Sequence, residues 1–307
     1  MSQVDLSIII VNWNTADLLK NCLESIYQHV SLEKEVIVVD NNSTDNSVDM
    51  VRTSFPQVQL IAESENLGFP KGNNVGLELA HGRYILLLNP DTEVYAEGLE
   101  PLIQFMDENP AIGIAGPTLW NPDGTHQPSQ APFPTLWIEF LRQTMLYRVV
   151  PNEKQKRAHK NIQQQAEMVT GAALCIRRSC YEQIGPLDPQ IFMFYEDTDW
   201  CKRAHDHGWE IWYLPTAGIM HVKAAASSRF ARTRTLLDSQ RSTIYYFQKH
   251  YGSSAVWGLR GITLCGSVLR AIKSLIQWVL NQNRPDQAAR LQAYRKMFQW
   301  GLTGKGL

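Results

Sequence analysis

Short apolar runs alternate along this chain with polar turns and amphipathic stretches. Leu6-Ser7-Ile8-Ile9-Ile10-Val11 is a β-branched run that stops at Asn12-Trp13-Asn14. Leu18, Leu19, Cys22, Leu23 and Ile26 then recur at helical spacing, with Thr15 or Asp17 placed to cap them. Residues 35–39 predict a second strand, ended by Asp40-Asn41-Asn42-Ser43-Thr44-Asp45. A helix over about 45–54, a short strand over 58–61, a loop over 66–74, a helix over 75–80 and a strand ending at Asn89 follow. This alternation predicts an α/β fold, a Rossmann-like and mostly parallel sheet with helices on both faces.

Further on, the pattern predicts a helix over 98–109 and a strand over 112–116, then weakens between Thr118 and Glu167. Pro122, Pro128, Pro132 and Pro134 punctuate a loop there, and a polar helix is expected from about 152 to 165. Residues 168–176 and 210–214 read as strands and 197–208 as a helix. Amphipathic helices close the chain. Residues 236–251 form one, and 255–280 are apolar but carry Arg260, Arg270 and Lys273. That is too much charge for a membrane span and well suited to a helix lying at an interface.

Composition adds little until charge is resolved by region. The five cysteines (Cys22, Cys175, Cys180, Cys201, Cys265) are scattered without metal-site spacing and read as reduced, mostly buried thiols of a cytoplasmic protein. No basic segment precedes the first strand, so a cleaved signal peptide is not expected. Net charge is -1, yet from Ser227 onward 13 Lys and Arg face only 2 Asp and Glu. Such a basic segment suits an anionic membrane surface; its plainer use is solvation.

Five places could carry chemistry. Asp40 ends the second strand, where a carboxylate can accept from the imide of a uracil or thymine base, or simply make an Asx turn. The loop Asn66-Leu67-Gly68-Phe69-Pro70-Lys71-Gly72-Asn73-Asn74 opens onto a helix, so its N–H groups can face an anion with help from Lys71. Asn89-Pro90-Asp91 ends an apolar strand, and one carboxylate plus substrate phosphates and water is an ordinary set for Mg²⁺ or Mn²⁺. Glu196, Asp197 and Asp199 crowd the start of a helix among Phe192, Phe194, Tyr195 and Trp200. Crowding raises at least one carboxyl pKa, which suits a general base. His221, in Gly218-Ile219-Met220-His221, is either structural or a nitrogen ligand suited to Mn²⁺.

Taken in order, these blocks resemble family 2 of the inverting glycosyltransferases, which have the GT-A fold. The matching stretches are Ser7 to Asn14, Val38 to Ser47, Asn66 to Phe69, Leu87 to Asp91, Gly171-Ala172 and Phe194 to Trp200, within about residues 4–228. Asn-Pro-Asp in place of the family's Asp-x-Asp resembles the rhamnosyltransferase-type enzymes of cell-surface polysaccharide assembly. The resemblance implies a catalytic domain over 1–228, with a nucleotide-sugar half to about 117 and an acceptor half from about 118. A basic helical segment over 229–307 completes the chain. It implies Asp197 as catalytic base and Asp91 with His221 as the site of Mn²⁺ or Mg²⁺. Val11, Asn12, Asn14, Asp40, Asn42, Asn66, Lys71, Asn74, Asn89, Glu196, Asp199 and Trp200 would line the substrate site. The implied donor is a dTDP- or UDP-sugar, and the implied acceptor a saccharide or lipid-linked hydroxyl. No nucleic-acid partner is expected. The enzyme would sit peripherally on the cytoplasmic face of a membrane, or use its helices for a homo-oligomer contact. Asn89 removes one charge from the site, which implies a modest metal affinity. Gly185-Pro186-Leu187-Asp188 departs slightly from the family's Gly-Gly-Phe-Asp. The alternatives are a nucleotidyltransferase, which would carry a Gly-rich basic signature where Asn12-Trp13-Asn14-Thr15 stands, and a binding protein without catalysis.

Overall fold

The structure is a computed structural model that describes residues 4–148, 150, 161–222, 229–279 and 287–305. Its first strands are β1 (Leu6–Asn12), β2 (Lys34–Asp40), β3 (Gln59–Ala62) and β4 (Tyr84–Leu88), parallel neighbours in the order β3-β2-β1-β4. Between them run α1 (Ala16–His29), α2 (Ser47–Ser54) and α3 (Phe69–Leu79). Then come β5 (Thr92–Val94), α4 (Glu100–Glu108), β6 (Ile112–Trp120), β7 (His126–Gln127), β8 (Gln130–Ala131) and α5 (Leu136–Thr144). β9 (Gln164–Gln165), β10 (Met168–Val169), β11 (Ala173–Arg177), α6 (Arg178–Ile184), α7 (Glu196–Asp206) and β12 (Glu210–His221) follow. The main sheet runs β3-β2-β1-β4-β11-β6-β12-β5. β11 is antiparallel to β4 and β6, and β12 is parallel to β6 but antiparallel to β5.

The two sheet faces explain the apolar runs. Successive side chains of a strand point to opposite faces, so a strand covered on both reads as continuously apolar. Ile8 and Ile10 pack with Leu19, Leu23 and Ile26 of α1 and Leu102 and Met106 of α4. Ile9 and Val11 face the other way, into a layer with Leu77 of α3, Ile184 of α6 and Trp200 and Cys201 of α7. Cys22, Cys175, Cys180 and Cys201 are buried free thiols and Cys265 is an exposed one.

Two compact units divide the chain. The first, Met1–Phe133, Arg157–Phe192 and Glu196–Ala225, contains the sheet. The second groups Pro134–Lys156 and Met193–Tyr195 with everything from Ala226 onward. Within it lie α5, α8 (Arg229–Val279) and α9 (Gln287–Thr303). α8 breaks at Gly252, whose φ of 78° lies in the left-handed region that glycine adopts without strain. Tyr246, Phe247, Ala255, Leu259 and Trp300 form this unit's core. A Cβ on Gly258 would stand 2.9 Å from Leu136, and one on Gly266 2.8 Å from Gln143, so glycines let α5 lie close against α8. Part of this helix, Leu236–Gln277, is long and apolar enough to cross a membrane by length and composition.

Several boundaries differ from the expected ones. α3 starts at Phe69, with Pro70 in its first turn, so Lys71, Asn73 and Asn74 are helical rather than in a loop. Pro is well placed there because the first-turn N–H groups lack intrahelical acceptors anyway. The expected strand over 168–176 is two short strands, β10 and β11. The expected polar helix over 152–165 lies outside the described residues up to 160, and its last two residues are β9, paired with Trp212 and Tyr213. α5 and α6 had no counterpart in the sequence reading. The strand expected over 210–214 extends to His221 through a register irregularity between Leu214 and Gly218.

Candidate active site

Strand registers bring the candidate residues to one edge of the sheet. Asn12 at the end of β1 is level with Asp40 at the end of β2, and Ile10 is level with Leu88 at the end of β4. Antiparallel β11 begins at Ala173 opposite Leu88, so the turn before it, containing Gly171, lies at the same edge. Gly171 N–H donates to Asp197 Oδ2 at 3.0 Å. Residues 12, 40, 89–91 and 197 therefore converge, where the ends of parallel strands leave room for a ligand.

At the first corner, the residues hold one another. Asp40 accepts from Asn12 Nδ2 at 2.8 Å and from Ser43 N–H at 2.8 Å, and it is 2% exposed. The Asx-type turn is thus formed, whatever else Asp40 binds. Asn12 also accepts from Thr15 at 2.6 Å. Asn14 (φ 54°) and Asn42 (φ 59°) adopt left-handed backbone, the conformation Asn tolerates best after Gly. Asn14 Oδ1 accepts from Thr44 N–H at 2.7 Å and joins the two loops. Trp13, between Asn12 and Asn14, is an exposed aromatic that the sequence reading passed over. Val11 packs beneath, against Gly72 of α3, where a Cβ would meet its Cγ1 at 2.9 Å.

The second corner holds the cation candidates. Asp91 follows β4 in a tight turn, and β12 pairs with β5 so that His221 lies opposite Thr92. His221 Nε2 stands 3.2 Å from Asp91 Oδ1 and 3.4 Å from Asn89 Nδ2. Both Asp91 and His221 are buried. A sequence separation of 132 residues between Asn89 and His221 hid this meeting. Among the described residues no group of three or more His, Cys, Asp or Glu could hold a metal. Two protein ligands nevertheless fit a hard divalent ion that takes its remaining oxygens from a diphosphate and water.

At the third corner the acids separate into different roles. Asp197, half-buried, accepts from Gly171 N–H, Thr198 N–H (2.6 Å) and Thr198 Oγ1 (3.2 Å). Burial raises its pKa, and these hydrogen bonds oppose the rise. Glu196 is buried, and among the described residues its Oε2 has no hydrogen-bond partner. Burial first, and the neighbouring Asp197 second, push its carboxyl up to about 8. Desolvation thus outweighs the crowding that the sequence suggested. Phe194 (φ 66°) and Tyr195 (φ 69°), immediately before α7, have left-handed backbone. Such strained pairs gather at functional sites, and no glycine announces this one.

Three expected site residues are engaged within the protein. Asn74 donates to Leu187 O at 2.8 Å and accepts from Leu187 N–H at 2.9 Å, so its amide clamps α3 to the 185–188 turn. Asp199 is fully buried in an ion pair with Arg203 at 2.9 Å. Trp200 is fully buried and donates to Gly185 O. Of the loop candidates, Asn66 accepts from Gly68 N–H at 2.9 Å, while Lys71 is exposed in the first turn of α3. The sequence reading missed Gln127, which touches His221. A glutamine in a Pro-punctuated loop carries no pattern that marks it.

The sheet order, with its mostly parallel strands and a candidate site at their carboxyl edge, is that of a GT-A glycosyltransferase fold. A mannosyltransferase of Pyrobaculum calidifontis, solved with GDP-Man and Mn²⁺, superposes with a TM-score of 0.56 over 99% of this chain and 89% of its own, at 16% identity. Residues 7–185 match the family described as Glycosyl transferase family 2, and the chain belongs to that family. It is similar to N-acetylglucosaminyl-diphospho-decaprenol L-rhamnosyltransferase of Mycobacterium tuberculosis, 25% identical over 301 residues, covering 88% of this chain and 94% of the relative. It is also similar to dTDP-rhamnosyl transferase RfbF of Shigella flexneri, 23% identical and covering 70% of this chain and 68% of the relative. The protein is a glycosyltransferase with rhamnosyltransferase relatives, and the nucleotidyltransferase and non-catalytic readings fall away.

Proposed function

We propose that this glycosyltransferase moves a sugar, with L-rhamnose the candidate, from a dTDP- or UDP-sugar to a hydroxyl of a saccharide or lipid-linked acceptor. The reaction is a single inverting displacement that serves cell-surface polysaccharide synthesis at the cytoplasmic face of a membrane. The observation that carries this reading is the convergence of Asp91 and His221 with Asp197 at one sheet edge. The similarity to two rhamnosyltransferases supports the sugar. Acidic residues over 1–228 and a basic segment beyond support the division into a catalytic domain and a membrane-facing one.

Each residue has a task in this reading. Asp40, Asn12 and the Asn14–Asn42 loops bound the nucleotide corner, and Lys71 adds a positive charge near the phosphates. Asp91 and His221, with Asn89 beside them, would hold Mn²⁺ or Mg²⁺, which neutralises the diphosphate as it leaves. Gly171 and Thr198 orient the Asp197 carboxylate, and burial makes it a stronger base than a solvated one. Asp197 accepts the acceptor hydroxyl's proton. The freed oxygen bonds to the anomeric carbon, and the carbon–oxygen bond to the diphosphate breaks with its electron pair going to the nucleotide.

Release of nucleoside diphosphate and the anomeric configuration of the product test this together. With dTDP-L-rhamnose, Mn²⁺ and a saccharide acceptor panel, the parent should release dTDP and give inverted product by NMR. Asp197→Asn should fold, bind donor and lose at least ~10²-fold in turnover. Retained configuration, or an Asp197→Asn enzyme as fast as the parent, would sink the mechanism. If Glu196→Gln alone were dead, Glu196 would be the base.

A further inference from the structure

His221 sits at the inner end of a directional chain of hydrogen bonds that starts at the surface. Asp123 begins it, in the hairpin where Trp120 pairs with His126 and Leu119 with Gln127. Two hydrogen bonds from Thr125 hold its carboxyl below the usual range, so at neutral pH Asp123 can only accept. Thr125 Oγ1 donates to Asp123 Oδ1 at 2.5 Å and is therefore left to accept from Asn121 Nδ2 at 2.9 Å. That turns Asn121 Oδ1 inward, where it accepts from Gln127 Nε2 at 2.8 Å. Gln127 Nε2 also donates to the His221 carbonyl at 3.3 Å.

These two acceptors fix which way the Gln127 amide faces. Turned over, its oxygen would meet Asn121 Oδ1 and the His221 carbonyl, two acceptors, in a side chain only 2% exposed. An unmade hydrogen bond at a buried position costs about 1–3 kcal/mol, and two would be lost. Gln127 Oε1 therefore stands 2.7 Å from His221 Nδ1 as an acceptor, and Nδ1 carries the proton. In the neutral ring Nε2 then keeps its lone pair, and Nε2 is the atom facing Asp91 Oδ1 at 3.2 Å. Asn89 Nδ2, a donor 3.4 Å from Nε2, is consistent with that lone pair. Nε2 and the Asp91 carboxylate are then two acceptors set to share a metal cation or a proton.

We propose that Gln127 is a positioning residue, locking His221 in the tautomer whose Nε2 and the Asp91 carboxylate face one divalent cation. This inference rests on the reading of Asp91 and His221 as the cation pair. Partners that fix a ligating histidine in this way set both its tautomer and its ring orientation, and their loss typically weakens metal binding 10–100-fold.

The test uses the full-length protein with ¹⁵N-labelled histidine and two variants, Gln127→Met and Gln127→Glu. His221 is identified among the eight histidines by its absence in His221→Gln. At pH 8.5, above the ordinary imidazole range, long-range ¹⁵N–¹H spectra without metal should show Nδ1 protonated and Nε2 bare in the parent. Gln127→Met should shift the proton towards Nε2, and calorimetric titration of MnCl₂ into protein with UDP should show about 10–100-fold weaker binding. Gln127→Glu keeps an acceptor against Nδ1 but sets its second oxygen against the Asn121 Oδ1 and His221 carbonyl acceptors, so it should preserve the tautomer and Mn²⁺ binding while lowering the urea midpoint. That rescue separates positioning from damage to the fold. A parent His221 protonated on Nε2 would overturn the proposal, as would Gln127→Met that binds Mn²⁺ like the parent. A parent that takes up no Mn²⁺ would instead overturn the cation reading on which the proposal stands.

Discussion

Glu196 and Asp197 are neighbours whose surroundings treat them differently. Backbone N–H groups and Thr198 serve Asp197, whereas Glu196 Oε2 is buried without a hydrogen bond among the described residues. The Glu196 carboxyl, raised from 4.5 to about 8, keeps its proton in the folded protein at a pH where the unfolded chain has lost it. The native state binds more protons between these values, so stability falls as pH rises through that window, and the cost is complete above pH 8. Glu196→Gln should remove the fall. Urea denaturation should find it within ~1 kcal/mol of the parent at pH 4 and more stable by about 3–5 kcal/mol at pH 9. Parallel pH profiles for the two proteins would show that Glu196 reaches water. The sequence made Asp91 and Asp197 legible because each sits at an abrupt change from apolar run or aromatic cluster to acid. It did not show that Asn74, Asp199 and Trp200 bind Leu187, Arg203 and Gly185, because such partners cannot be identified from local pattern.

At the level of elements, continuous apolar runs identified β1, β2 and β4 because both faces of those strands are covered. Where the chain leaves that regime, the signal fails. β7, β8, β9 and β10 are two residues each and exist through their pairing, which no periodicity encodes. The expected helix over 75–80 contains Gly76 but stops short of Gly72, a glycine that weakens the helical pattern. Packing requires both. A Cβ on Gly76 would stand 2.5 Å from Ile9 Cγ2, and Ile9 is fully buried in β1. Replacing Gly by Ala in a helix ordinarily gains about 1 kcal/mol. Here overpacking costs about 1–3 kcal/mol and should win, because the clash falls on a methyl next to the backbone of a fully buried strand residue. Gly76→Ala should therefore lower the urea midpoint. A raised midpoint would mean that α3 can slide away from β1 cheaply.

For the whole molecule, the second half of α8 is amphipathic in an inverted sense, and this leaves an apolar face exposed. Its inward face carries Leu259, Thr263, Gly266, Ser267 and Ser274, mostly small or polar, all buried. Its outward face carries Trp257, Val268, Leu269, Ile272, Leu275 and Ile276, with Trp257 67% and Ile276 53% exposed. An apolar surface of this kind needs a lipid or a protein against it. Arg260 stacks on Trp257 at 4.1 Å, and its guanidinium donates to the Gly301 and Leu302 carbonyls that end α9. Arg270, Lys273, Arg290, Arg295 and Lys296 add positive charge nearby in sequence; Arg284 lies outside the described residues. Each cation near an anionic leaflet contributes about 1 kcal/mol, and charge together with apolar burial meets the two-signal condition for stable peripheral binding. The full-length protein should co-sediment with phosphatidylserine-containing vesicles, less so in high salt, and weakly with phosphatidylcholine alone. Ile272→Ser with Ile276→Ser, both at exposed positions, should release it while leaving nucleotide binding intact. If the double variant sediments like the parent, lipid does not contact this face. If the parent ignores vesicles but is a dimer that the double variant splits, the face is a contact between two copies of the chain.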